Sequence, residues 1–127
     1  MATYFAPQLV IPHGTREIDF YLTGLGAQEL RRFSNDDGSI HVAELSIDGA
    51  LFHLHEENAD KGLPSPGVQG ATTVTVGLFV DDVAAVVDSA VAAGAELLWP
   101  VTDWDYGYRQ AEIRDPFGHH WLIEKKI

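Results

Sequence analysis

Apolar and polar residues alternate along most of this chain, in two sets of segments that follow the same order. Residues 5–12 place Leu9 and Ile11 on one side and Ala6, Gln8 and Val10 on the other, the period of two that marks a strand. From Gly14-Thr15 through Thr23 the spacing turns helical, with Ile18 and Leu22, joined by Tyr21 or Leu25, on the inner stripe, and Gly24 and Gly26 closing it. Residues 28–33 and 39–47 read as a hairpin around Ser34-Asn35-Asp36-Asp37-Gly38. After the turn Asp48-Gly49, residues 50–57 alternate Phe52 and Leu54 with Leu51, His53 and His55.

Residues 58–70, with Gly62, Pro64, Pro66, Gly67 and Gly70 and few apolar positions, read as a linker. The order then begins again. Residues 72–80 put Val74, Val76, Leu78 and Val80 on one face and Thr73, Thr75 and Gly77 on the other. Asp81 or Asp82 caps a predicted helix through Ala93. Strands follow at 95–101 and 107–114, then the turn Asp115-Pro116-Phe117-Gly118. A last strand at 119–126 opposes Trp121 and Ile123 to His120, Leu122 and Glu124. The helix exits anchor the repeat: Gly26-Ala27-Gln28-Glu29-Leu30 returns as Gly94-Ala95-Glu96-Leu97-Leu98. The chain thus reads as one α+β domain of tandem βαβββ modules, 1–57 and 71–127, joined by the linker 58–70.

Composition narrows the function. With 127 residues and 46% apolar content the chain is a globular domain, able to bury about two thirds of its unfolded surface. No apolar run reaches the roughly 20 residues of a membrane span, and no charged-then-apolar leader opens the chain, so no membrane partner is expected. The lack of cysteine excludes disulfides and thiolate chemistry and fits a reducing cytoplasm. A formal charge of −11 argues against nucleic acid, which needs a basic patch, and is suited to steering a cationic ligand.

The second faces of the strands carry the functional signal: Gln8, His53, His55, Thr73, Thr75, His120 and Glu124, with Ala6, Val10, Leu51 and Leu122 among them. A wetted sheet is one reading. But a solvent face normally carries Lys, Glu and Arg, whereas mid-sized polar and imidazole groups among small apolar ones suit a ligand pocket. Beside them runs Trp99-Pro100-Val101-Thr102-Asp103-Trp104-Asp105-Tyr106-Gly107-Tyr108-Arg109. Trp99, Trp104, Tyr106 and Tyr108 on a hairpin suit stacking on a flat or cationic guest, although core or interface packing is open to any of them. Arg109 is placed either to pair with Asp103 or Asp105 or to hold a ligand oxygen. No serine sits in a nucleophile elbow, Gly24-Leu25-Gly26 is a helix exit and not a phosphate loop, and proton transfer between His120 and Glu124 stays open.

Taken in order, Ile18-Asp19-Phe20-Tyr21 through Gly26-Ala27, Val80-Asp81-Asp82-Val83 through Gly94-Ala95, Tyr106-Gly107-Tyr108-Arg109, and Asp115-Pro116-Phe117-Gly118-His119-His120-Trp121 carry a resemblance over essentially the whole chain. The sequence resembles the vicinal-oxygen-chelate superfamily, the glyoxalase/bleomycin-resistance/dioxygenase fold, and within it the PhnB-like branch. The resemblance implies a cupped, incompletely closed eight-stranded mixed sheet and a homodimer with pockets near the subunit interface. It also implies a divalent metal held by four strands in the family's enzymes. Those four positions fall here on Ala6, His53, Thr75 and Leu122, of which only His53 is a good ligand, so no metal cofactor is expected. A shifted site from His53, His120 and Glu124, with His55 beside them, is the alternative. The resemblance also implies a pocket wall in the aromatic loop 99–109, since metal-free members of the fold that sequester antibiotics hold them between aromatic rings. The expectation is therefore a non-catalytic protein that sequesters a hydrophobic or aromatic natural product, cationic ones included. The alternative is a metal-dependent lyase, isomerase or dioxygenase of the same superfamily.

Overall fold

The structure, a computed structural model, describes residues 2–127. Among these residues eight strands form two four-stranded mixed sheets of identical topology. The first holds β1 (Gln8–Ile11), β2 (Gln28–Ser34), β3 (Ile40–Ile47) and β4 (Ala50–Glu56) in the order β1-β4-β3-β2. The second holds β5 (Thr75–Phe79), β6 (Glu96–Trp104), β7 (Tyr108–Arg114) and β8 (His120–Lys126) in the order β5-β8-β7-β6. In each, the first strand runs parallel to the fourth, Gln8 opposite His53 and Thr75 opposite His120, and the other pairs are antiparallel. The α+β architecture and the repeat are the expected ones. The eight strands form two separate sheets, not a closed barrel.

The alternation decides where the core lies. Leu9 and Ile11, Phe52 and Leu54, Trp121 and Ile123 are all buried, and the two sheets turn these faces toward each other. Phe52 of β4 lies edge-on to Trp121 of β8 with ring centroids 5.5 Å apart, and Tyr21 contacts both rings. The helix α2 (Val83–Ala92) packs into the same core through Val83, Val87 and Ala90. Its start is fixed by Asp82, whose carboxylate accepts from Ala85 N at 3.0 Å. Burying each large apolar side chain here contributes about 1.5–3 kcal/mol.

One carboxylate ties the core together. Asp115, 2% exposed, accepts from Phe117 N and His119 N through Oδ1 and from Tyr21 Oη and Trp121 Nε1 through Oδ2. Burial, and then the charge and hydrogen bond of Asp115, push the Tyr21 hydroxyl well above its usual pKa.

Three expectations need correction. The first helix is a single widened turn, Phe20–Gly24, preceded by a turn in which Thr15 N donates to Pro12 O. Pro12 and Gly14 spend that segment on reversing direction, while Ile18, Tyr21 and Leu25 still reach the core. β5 begins at Thr75, so Thr73 precedes the strand and Val74 is exposed. The linker is ordered in part: a short turn at Ala59–Lys61 and the one-turn helix α1 (Pro66–Gln69) lie within it. α1 presses Pro66 against Gly118, where a Cβ would come within 2.8 Å and φ is +95°, so only glycine fits.

Candidate functional site

Because the inner faces meet, the outer faces point away from each other, one on each side of the molecule. This separates the sequence-predicted residues. On the first sheet, register aligns Gln8, His53, Glu44 and Arg31 in one row across the four strands. His55 lies one pair further along, opposite Val10 and Val42. Its ring stands edge-on to His41 at 5.1 Å, and its Nδ1 contacts Glu56 O at 2.6 Å. His41 and His13 both bond the Glu56 carboxylate, at 2.9 and 3.3 Å, and Asn35 adds a third bond. Burial raises the Glu56 pKa, but the bonds from His41, Asn35 and His13 outweigh it and leave the carboxyl below its usual range.

On the second sheet the outer face carries Thr75, Gly77 and Phe79 from β5 and His120, Leu122 and Glu124 from β8. β7 adds Glu112, Gln110 and Tyr108, and β6 adds Trp99, Thr102 and Trp104. His120 contacts Glu112 at 3.4 Å. His53 and His55 therefore do not share a face with His120 and Glu124 in one chain. Among the described residues, no three His, Asp or Glu groups converge as metal ligands. The family's four-strand metal positions fit no better, with Ala6 ahead of β1, Thr75 on an edge strand and an apolar Leu122.

What the second sheet does bring together is aromatic. Phe79, Tyr108, Tyr106, Trp104 and Trp99 form a chain of rings, with successive centroids 6.1, 5.7, 6.2 and 6.5 Å apart. The Trp104 and Tyr106 planes differ by 6°, and those of Trp99 and Trp104 by 20°. Phe79, Trp99 and Tyr106 are each more than half exposed, and Trp104 and Tyr108 are half-buried. Contiguous open apolar rings of this kind stand apart from the singly scattered apolar residues of an ordinary protein surface. A polar thread crosses it: Tyr106 Oη donates to Gln110 Oε1 at 2.9 Å, and Gln110 Nε2 donates to Glu124 Oε1 at 2.9 Å.

Arg109 is not part of this face. It pairs with Lys125 and Asp103 on the other side of β7, where its guanidinium bonds both Asp103 oxygens at 2.7 and 3.1 Å. The Arg109 hydrogen bond holds the Asp103 carboxyl below its usual range. Phe79 and Gln110 were missed in the sequence. The period of two through Thr75 and Gly77 points to Phe79, and that through Tyr108 and Glu112 points to Gln110. Also unforeseen is a cavity of about 430 Å³ at the seam between the sheets, lined by Tyr4, Phe5, Leu51, Phe52, Val76 and Gly77 among others. It is mainly apolar and offers little to orient a guest, but through Gly77 it adjoins the aromatic face.

The geometry is that of a known family. Residues 5–123 match the family model of the Glyoxalase/Bleomycin resistance protein/Dioxygenase superfamily. The chain belongs to that superfamily. Uncharacterized proteins of Mycobacterium bovis and Mycobacterium tuberculosis are each 34% identical to it over 126 residues. These alignments span 96% of this chain and 82% and 74% of the two relatives. Among solved structures, TioX from Micromonospora sp. ML1 superposes with a TM-score of 0.73 at 25% identity, covering 98% of this chain and 97% of that one. FosX from Listeria monocytogenes, a genomically encoded fosfomycin resistance protein, shares the fold with a TM-score of 0.71 at 15% identity, covering 100% of this chain and 95% of that one.

Proposed function

We propose that this superfamily member, of the PhnB-like branch, is a non-catalytic cytoplasmic binding protein. It sequesters a hydrophobic or aromatic natural product in the manner of an antibiotic-resistance protein, without a metal. The observation that carries the reading is the open chain of five rings from Phe79 to Trp99 on the outer face of the second sheet. Parallel or tilted rings on a rigid sheet offer stacking area at little entropic cost. A guest held there gains burial on one side only, so a second wall is needed to enclose it. The outer face of the first sheet, with Gln8, His53 and the exposed Phe33, supplies a wall of suitable size on a second copy. A symmetric homodimer would pair unlike faces and form two equivalent cups. One protein of the same fold, FosX, is a fosfomycin resistance protein, which supports this class of function and says nothing of the guest.

The test is a tryptophan-fluorescence titration against a panel of natural-product antibiotics, with light scattering for the mass in solution. Saturable quenching by at least one compound, weakened by about 1–3 kcal/mol in Trp104→Ala with an unchanged melting curve, is the expected result. A mass of one chain together with no quenching across the panel would refute the reading. Stoichiometric metal in chelator-free protein would move it to the metalloenzyme class.

A further inference from the structure

We propose that the aromatic face selects guests bearing a protonated nitrogen, and that Glu124 recognises the charge. The inference rests on the reading of that face as a ligand site. Glu124 is 7% exposed, yet its carboxylate is half engaged. Oε1 accepts from Gln110, whereas Oε2 has no hydrogen-bond partner among the described residues. Among the described residues no fully enclosed side-chain oxygen lacks a partner, so Oε2 retains an opening. That opening lies over β5: Oε2 sits 2.8 Å from where a Cβ on Gly77 would stand, and Gly77 is exposed. The missing side chain leaves the edge of the carboxylate uncovered.

No cation is bonded to this carboxylate among the described residues. Lys126, next on the same face and opposite Tyr108, is exposed. Gln110 cannot turn to serve it better, because its carbonyl is held by Tyr106 Oη. A carboxylate so nearly buried is costly without a charged partner. A protonated nitrogen supplies an N–H donor and the opposite charge, and such bonds are about twice as strong as neutral ones. The Phe79, Tyr108 and Trp104 rings on the same face favour a cation through their π surfaces. The overall charge of −11 concentrates cations nonspecifically; a site adds dependence on one residue.

The experiment uses two probes with the same three fused rings at about pH 8: 9-aminoacridine, a cation, and acridine, which is neutral. Each is titrated against wild type, Glu124→Gln and Asp88→Asn by tryptophan quenching. Asp88 is an exposed acid on α2, so its variant loses the same charge away from the face. Wild type and Asp88→Asn should prefer the cation by about tenfold or more. Glu124→Gln should prefer the cation several-fold less than Asp88→Asn, which carries the same net charge, with acridine affinity unchanged. Should Glu124→Gln melt early, Gly77→Ala, which crowds Oε2, must lower the preference instead. A preference that survives in both variants, falls equally in Asp88→Asn, or is absent from a wild type that binds both probes overturns the inference. Failure of every form to bind either probe overturns the ligand-face reading itself.

Discussion

Replacing Asp115 with asparagine tests the hub that joins the two modules. The carboxylate accepts four donors, two at each oxygen, at 2.6–3.0 Å. An amide of the same shape keeps one oxygen and presents N–H groups in place of the other. If the nitrogen faces the turn, Phe117 N and His119 N both lose their acceptor. If it faces the core, Tyr21 can rotate its hydroxyl to accept, but the Trp121 indole N–H, in a residue 1% exposed, meets a donor. The second arrangement is the cheaper one. One orphaned buried donor costs about 1–3 kcal/mol, and bonds at the surviving oxygen lose their charge assistance. The total is about 2–5 kcal/mol, a large share of the 5–15 kcal/mol typical of a domain. With unfolding entropy near 2.1 cal/mol/K per residue, that lowers Tm by about 8–20 °C for a chain of this length. Tyr21→Phe removes a single donor and should cost less. Melting curves by near-ultraviolet circular dichroism, with urea titrations checking that the m-value is unchanged, measure both. An Asp115→Asn protein that melts within about 3 °C of wild type, or above Tyr21→Phe, would refute the reasoning.

Three further outcomes follow from the same structure. Tyr21 ionises far less readily when folded than when unfolded, so its contribution is whole below pH 10 or so and is lost as pH rises above that value; Tyr21→Phe should flatten the alkaline fall in urea midpoint. Glu56 is held below its usual range when folded, so its contribution is present above about pH 4.3 and disappears as pH falls through its folded value. Glu56→Gln should show a smaller loss of stability between neutral and acid pH, read from denaturation midpoints. Gly118→Ala must place a Cβ 2.8 Å from Pro66 Cβ at a positive φ, and a loss of at least about 1 kcal/mol is expected by urea denaturation.

Much of the fold was legible because period two fixes which residues share a face whatever the sheet packs against. His53 and His55 had to oppose Phe52 and Leu54, and Glu124 had to oppose Trp121. The same rule permits Tyr108 or Arg109 on the aromatic face, but not both. Choosing between them needed the hairpin register, which irregularities between Leu97 and Thr102 obscure. The stripe Ile18, Tyr21, Leu22 and Leu25 reveals a buried side and not the number of helical turns, so the shrunken first helix was unreadable. Asp115 looked like turn chemistry; its four donors come from Tyr21, Trp121 and the turn itself, and the first of these lies 94 positions away. The directions of the two outer faces depend on how the modules pack, which no local pattern encodes. That is why His53 and His120 were expected to share a cup within one chain.

The shared core also bears on what kind of unit the repeat is. Phe52 meets Trp121 and Tyr21 meets Asp115 across the boundary between halves, so neither half possesses a complete interior of its own. Severed within residues 58–70, each fragment would expose half of a hydrophobic interface and should be unstable alone. The two should recover native structure only on reassociation. A chain that looks like two copies of one module should therefore unfold in a single cooperative step, with both outer faces losing their shape together.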